Sequence, residues 1–453
     1  MHSGQPVTVT CADLDDAGAG VSAPPRVHVA GALPGERVTA KLTHVSGHTR
    51  DAWADLLAIE VASPARRPPA CRAFGACGGC VLQHLDYPEQ LAWKRSRVAR
   101  ALAARTNLPA NDVPVAACVA SPRPLGYRNK SKLVPARVAG RLVLGAYAPR
   151  SHEVVDLAGC RITEPPLDDA AAALRELFAQ ANLRPYDERT ATGELRHVVL
   201  RANHAGQLLA VWVVARPLPD GEALARAFRA ARPEVVGVVE HRNRSAGNAI
   251  FADTGEARER ALAGAGTIED RIEVDGRSLR LHLSPSAFSQ ANRQVAGLAY
   301  AAIARGLEVE PGERVVDAYS GSGAIALTLA RDAGEVVGIE SHAGAVADAV
   351  ASATLNGITN ARFVAGDAAT ALAALDRAEL MVLNPPRKGC SAAVLTEVAR
   401  LAPRAIAYLS CDPDTLARDL AWLAARGYRA RAVTPFDMLP HTPHVEALAL
   451  LGI

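Results

Sequence analysis

The last third of the chain carries a rhythm that few folds can satisfy. ERVVDAYSGSGAIALTLA reads as strand, glycine turn and helix. EVVGIE, ARFVAGDA, AELMVLNPPR and AIAYLSCDP follow as short apolar strands with helical stretches between them, and RARAVTPFDML with VEALALLGI gives a closing pair. Strands alternating with helices in this way predict a doubly wound, mostly parallel sheet. Such a sheet gathers its ligands beyond the C-terminal ends of its strands. The residues at those ends are therefore the ones to read for function.

Gly321-x-Gly323-x-x-Ala326, after the first strand, fits a dinucleotide fingerprint. Glu340 ends the second strand, where a carboxylate can accept from two ribose hydroxyls. Both features suit NAD and S-adenosylmethionine (SAM) alike. Two others favour SAM. Asp367 ends the third strand, placed to meet an adenine amino group. Asn384-Pro385-Pro386-Arg387 ends the fourth, at the transfer site of many methyltransferases.

Cys411 ends the fifth strand. Asp412 is a good N-cap and Pro413 suits the first helical position. Leu416, Leu420 and Leu423 then recur at helical spacing. A thiol just before a helix N-terminus is expected to favour the thiolate. A lone Cys is otherwise most often a packing residue; its place at a ligand-binding strand end argues for a nucleophile. Glu446 opens the last strand, after Pro440-His441-Thr442-Pro443-His444-Val445. It is either a solvated strand-end carboxylate or a general base near Cys411, since adjacent strands can bring their ends to one face.

The chain has eight cysteines. Cys71-x5-Cys77-Gly-Gly-Cys80 is a ligand signature, and the glycines let the backbone wrap closely around a metal centre. Cys160, after a strand and a glycine, is the best fourth ligand. Cys11 and Cys118 read as packing residues. Four thiolates alone do not separate zinc from iron–sulfur. A redox dithiol would not need Cys71.

At 453 residues the chain should hold two or three domains. Residues 1–62 carry short strand-like runs punctuated by glycine and proline, which suits a small antiparallel barrel. Residues 63–280 mix strands and helices, and 281–453 form the α/β unit. No apolar run reaches the roughly 18 residues that a membrane span needs. The polar, acidic N-terminus is unlike a signal peptide. The expectation is a cytoplasmic monomer.

Charge is uneven. Ser63–Arg150 holds 15 Lys and Arg against 3 Asp and Glu, whereas Leu281–Ile453 holds 14 against 17. A basic middle points to a polyanion partner, most plausibly nucleic acid. Tyr87 to Ala104 reads as a helix with a basic face of Lys94, Arg95, Arg97 and Arg100. Tyr127, Arg128, Asn129, Lys130 and Lys132 interleave a ring with cations. Phe288 and Gln290 precede a further helix, which Ser286 or Ser289 could cap. They could staple that helix or stack on a base and bond its edge.

The segment AGAGVSAPPRVHVAGALPGERVTAKL resembles the TRAM domain, an OB-like RNA-binding module, through its glycine-rich first turn and the Leu33-Pro34-Gly35-Glu36 turn. Taken together, these residues resemble the RNA (uracil-5-)-methyltransferase family. The closer likeness is to its bacterial 23S rRNA branch, which carries a TRAM domain and a [4Fe–4S] cluster. The resemblance implies cluster ligands at Cys71, Cys77, Cys80 and Cys160. It implies SAM contacts at Gln290, Tyr319, Glu340 and Asn384, with Asp367 nearby, a nucleophile at Cys411 and a base at Glu446. Three positions depart from the commonest pattern. Asp412 replaces Asn, an exchange of one N-cap for another. His441 stands where others carry Gln. Asn384 stands where many carry Asp.

The implied chemistry explains the parts. Uracil C5 is a poor nucleophile until a thiolate adds at C6 and makes the ring an enolate. A base must then remove the C5 proton so that the Cys can leave. The target base would be flipped, with Phe288 as a stacking surface and Gln290, Asn384 and Arg387 close by. Arg128, Lys130 and Lys132 would meet the RNA backbone. Alternatives are a 5-methylcytosine or tRNA uridine enzyme, or an iron–sulfur RNA-binding protein that has lost catalysis.

Overall fold

The computed structural model describes residues 2–105, 113–245, 249–251 and 259–453. The chain opens with β1 (Pro6–Leu14), β2 (Gly20–Ser22), β3 (Val27–Ala30), β4 (Arg37–Val45) and β5 (Ala52–Val61), closed into a barrel in the order β1-β2-β3-β5-β4. Alternation along β3 and β4 turns Val27, Val29, Val38, Ala40 and Leu42 inward. Closure leaves no free strand edge. Helix α1 (Tyr87–Ala103) follows, started by Asp86, whose carboxylate accepts from the Tyr87 N–H at 3.1 Å.

The middle of the chain builds β6 (Lys130–Val138), β7 (Arg141–Tyr147), β8 (Val154–Asp156), α2 (Pro165–Gln180), β9 (Leu195–Ala202), β10 (Leu208–Val214), α3 (Gly221–Ala231), β11 (Val235–Arg242) and β12 (Glu259–Gly264). These strands form one seven-stranded sheet, β12-β11-β10-β9-β6-β7-β8. Leu174 and Phe178 of α2 and Phe228 of α3 cover it, packing against Trp212. A hairpin, β13 (Ile268–Val274) with β14 (Arg277–Leu283), leads to α4 (Arg293–Leu307).

The C-terminal unit is β15 (Arg314–Asp317), α5 (Ala324–Leu329), β16 (Glu335–Glu340), α6 (Ala343–Leu355), β17 (Ala361–Ala365), α7 (Ala368–Ala373), β18 (Leu380–Leu383), α8 (Ala392–Leu401), β19 (Ala405–Ser410), α9 (Pro413–Ala424), β20 (Arg429–Phe436) and β21 (Glu446–Gly452). Its sheet runs β17-β16-β15-β18-β19-β21-β20, so the expected doubly wound architecture is present. The strand order reverses between β15 and β18, where a ligand crevice opens. Helices α4, α5 and α6 pack on one face, and α7, α8 and α9 on the other.

Helix α1 joins that second face. Val98, Ala101 and Leu102 share its apolar core, and Val115 and Val119 bridge to Val433 and Phe436 of β20. This stretch of the 63–280 region is thus packed with the C-terminal unit. Most of its basic face is paired within the chain, while Arg95 stays exposed and donates to the Val115 carbonyl at 3.0 Å. Lys94 is buried against Asp437, Arg97 pairs with Asp16 and Asp414, and Arg100 pairs with Asp13. Neither Ser286 nor Ser289 caps α4. Asn292 does, accepting from the Val295 N–H at 3.3 Å. Ser289 lies three residues before that cap, and its hydroxyl accepts from Arg201 at 2.7 Å.

Candidate active site

β19 and β21 are antiparallel neighbours whose last pair is Ser410 opposite Ala447. Cys411 and Glu446 are the next residue on each strand, so the sheet register sets them side by side. The turn after β19 is fixed by Ser410: its hydroxyl donates to the Asp412 carbonyl at 3.0 Å and accepts from the Asp412 N–H at 3.2 Å. Asp412 caps α9, accepting from the Asp414 and Thr415 N–H groups, both at 3.0 Å.

The expected thiolate does not follow from this geometry. Burial and the nearby Glu446 push the Cys411 thiol above its ordinary pKa, Arg387 pulls it down, and Asp412 adds a further upward push. The capping carboxylate both occupies helix N–H groups and carries a negative charge of its own. The balance favours the protonated thiol over the thiolate. Glu446 has its pKa raised to about 7 by burial, partly offset by Arg387. A carboxyl poised there can hold or release a proton near neutral pH.

The glycine turn lies across the sheet. Gly321 and Gly323 have φ of 52° and 85°, and Gly323 opens α5. A Cβ on Gly323 would lie 3.0 Å from both Ala349 and the Phe363 ring, so the close approach also demands glycine. Glu340 reaches back over the turn, accepting from the Gly321 N–H at 3.1 Å and the His342 N–H at 2.8 Å. Tyr319 and Asp367 line a cavity of about 690 Å³ together with Ser341, Pro386, Cys390 and Trp422. Asp367 caps α7 through one oxygen, accepting from the Thr370 N–H at 3.0 Å. Asn384 stands just past β18, half-buried. Arg387 is exposed, yet its charge reaches both Cys411 and Glu446.

Sequence reading missed Asp317. It ends β15 fully buried, and desolvation raises its carboxyl to about 7. The Tyr319 and Ala326 N–H groups approach it, but neither oxygen closes a hydrogen bond. The Ser320 hydroxyl is likewise buried without a partner. Unfilled polar atoms at the foot of a glycine turn suit a polar ligand. The signal was available: an Asp closing an apolar strand four residues before the first glycine.

Phe288 is 68 % exposed on the loop between β14 and α4. That loop is tied to the central sheet: Arg201 and Lys130 donate to the Ala287 carbonyl, Lys130 at 3.1 Å, and Asn129 Nδ2 donates to the Gln290 carbonyl at 3.1 Å. Lys130 is thus a correction. It is buried rather than facing RNA, and desolvation beside Arg201 and Lys132 lowers its pKa to about 6. Tyr127 is also interior, donating to the Pro440 carbonyl at 3.2 Å. Lys132 stays exposed and Arg128 half-exposed.

Cys71, Cys77, Cys80 and Cys160 are free thiols lining one cavity of about 460 Å³, with Arg128 and Lys132 on its wall. Burial pushes the Cys80 thiol up to about 12, and the other three cysteines add to the rise. Among the described residues, no three His, Cys, Asp or Glu side chains close to metal-binding geometry.

Residues 254–452 match the family model described as tRNA (uracil-5-)-methyltransferase. An uncharacterized RNA methyltransferase of Geobacter sulfurreducens is 41 % identical, with 98 % of this chain and 89 % of the relative covered. One of Listeria innocua is 36 % identical, with 100 % and 99 % covered. The chain belongs to the RNA (uracil-5-)-methyltransferase family. The fold agrees: the crystal structure of a Pyrococcus abyssi tRNA (uracil-54, C5)-methyltransferase in complex with S-adenosyl-L-homocysteine superposes with a TM-score of 0.78 at 25 % identity, covering 98 % of this chain and 100 % of that one. In this RNA methyltransferase the strand ends of the SAM-dependent fold carry the buried Asp317, the glycine turn and Glu340 on one side of the crevice, and Cys411 with Glu446 on the other.

Proposed function

We infer that this RNA methyltransferase methylates C5 of a uridine through a covalent bond between Cys411 and C6 of the base. The observation that carries the reading is the opposition of Cys411 and Glu446 across the end of the β19–β21 pair. SAM supplies the methyl group when bound. Asp317 and Ser320 offer buried acceptors unfilled within the protein, which fits a ligand carrying an ammonium and hydroxyls. Tyr319 and Asp367 line the cavity beside them and Glu340 is tied to the Gly321 turn, so these residues with Gly323 would hold SAM, and Asn384 and Gln290 would meet the target base.

The chain's own residues divide the work. Cys411 gives its proton to water and its sulfur adds to C6, placing the negative charge on the ring. Once C5 has gained its methyl group, Glu446 takes the C5 proton. The C5–C6 double bond reforms and Cys411 leaves with the bonding pair. Arg387 steadies both negative groups, since its charge favours the ionised form of each. Asn384 can accept from uracil N3–H and donate to O4 at once, which an ionised Asp cannot. Phe288, already exposed, offers the flipped base a ring.

Cys71, Cys77, Cys80 and Cys160 would hold a [4Fe–4S] cluster, a reading supported by four free thiols lining one cavity. Such a cluster would brace the segment and its RNA-facing neighbours Arg128 and Lys132. The barrel serves as a TRAM-type RNA grip. The preferred substrate is 23S rRNA. A tRNA uridine is the second reading, favoured by the full-length likeness to the archaeal tRNA enzyme. Mass spectrometry of nucleosides from rRNA and tRNA of a deletion strain, followed by mapping, decides between them. Loss of one 5-methyluridine from 23S rRNA is expected. Loss from tRNA supports the second reading, and loss of 5-methylcytidine overturns both.

A further inference from the structure

Residues 437–445 connect β20 to β21 and deliver Glu446 to the site. Their polar groups are gripped by side chains from outside the C-terminal sheet. Asp437 and Lys94 form a fully buried pair, and the second Asp437 oxygen accepts from the Tyr87 hydroxyl at 2.7 Å. Lys94 also donates to the Leu439 carbonyl at 3.1 Å. His441 is held on three sides. Its N–H donates to Gln90 Oε1 at 3.0 Å, its Nδ1 lies 3.2 Å from Gln90 Nε2, and its carbonyl accepts from the Leu82 N–H at 2.9 Å. This histidine has φ of 67°, a left-handed backbone that residues with a Cβ avoid. Such a conformation persists where its surroundings over-determine it, and it gathers near functional sites.

We propose that Gln90, Lys94 and Asp437 are positioning residues for the base. They hold the 437–445 loop in the one arrangement that sets Glu446 against the C5 proton. Through Leu82 they also tie that loop to the segment bearing Cys71, Cys77 and Cys80. Apolar groups of similar volume stabilise a fold about as well as a buried ion pair does. Their distinct contribution here is the fixed placement of the loop. The inference rests on the reading of Glu446 as the base. None of the three residues hydrogen-bonds Cys411 or its turn, so formation of the adduct should not need them.

The test uses the full chain with Lys94→Met/Asp437→Leu, which replaces the pair by apolar volume, and separately Gln90→Met. Single-turnover reactions with labelled methyl donor and the RNA identified by mapping are quenched in denaturant. Covalent enzyme–RNA is then separated from free methylated RNA. In both variants the adduct is expected at near the wild-type rate with an unchanged RNA KM, while release slows at least tenfold and labelled adduct accumulates. Unchanged release in variants that melt like the wild type overturns the proposal. So does a parallel fall in formation and release, or loss of the fold in both variants, because either marks a general packing role. Glu446→Gln run alongside separates the two claims. If it fails to trap adduct, the base assignment is wrong; if it traps while the other variants do not, only this proposal fails.

Discussion

Glu446 changes charge near neutrality because its carboxyl is held away from water. As the base it must be ionised, so release of methylated RNA should slow about tenfold per pH unit below about 7 and level off above it. Single-turnover release measured from pH 5.5 to 8.5 checks this, and a flat profile contradicts the assignment. The sign for stability is opposite. A carboxyl whose folded pKa lies above its unfolded one gives its full contribution below the unfolded pKa and loses it as pH rises through about 7. Asp317, also raised to about 7, acts in the same direction, so these two groups favour the fold on the acid side. Cys411 and Glu446 were legible because a strand-end thiol and a strand-end carboxylate are visible as letters. Lys130 was misread because a sequence shows charge but not depth. Its amino group turns inward to the Ala287 carbonyl, at 3.1 Å.

Helix α9 shows how one element sets a residue's chemistry. Asp412 and Asn are equal N-caps, and for the helix their exchange is neutral. For Cys411 it is not, since the Asp412 charge helps hold the thiol protonated. Asp412→Asn should keep stability within about 0.5 kcal/mol of the wild type, whereas Asp412→Ala should cost about 1 kcal/mol through loss of the cap. Asn should also shift alkylation of Cys411 to lower pH. Urea denaturation and iodoacetamide rates across pH measure both effects, and an unshifted alkylation profile counts against the electrostatic account. The strand–helix rhythm made the C-terminal sheet readable, and Asp412 with Pro413 made the start of α9 readable. Helix α1 was not readable in the same way. Its row of Lys94, Arg97 and Arg100 looks like a face for phosphate, and only the folded chain reveals Asp437, Asp414, Asp16 and Asp13 waiting for it.

At the scale of the whole molecule, three units meet around α1 and the loop before α4. The cysteine cavity faces the same basic wall as Arg128 and Lys132. Anaerobically purified protein should be brown and hold about four irons, as a cluster on four thiolates does. Cys77→Ala should lose the colour, and stoichiometric zinc without iron in the wild type would overturn the assignment. The spacing Cys71-x5-Cys77-Gly-Gly-Cys80 announced a shared site, but only the fold brings Cys160 to the same cavity, 80 residues beyond Cys80 in the chain. The central claim is that Cys411 bonds the base and Glu446 frees it. It is tested most directly by incubating the enzyme with SAM and 5-fluorouridine-substituted target RNA and running the mixture on a denaturing gel. The wild type should form a complex that survives denaturation, because fluorine at C5 leaves Glu446 no proton to take. Cys411→Ala should form none, and Glu446→Gln should form one even with unsubstituted RNA. A Cys411→Ala protein that turns over normally, or a wild type that gives no stable complex, contradicts the account.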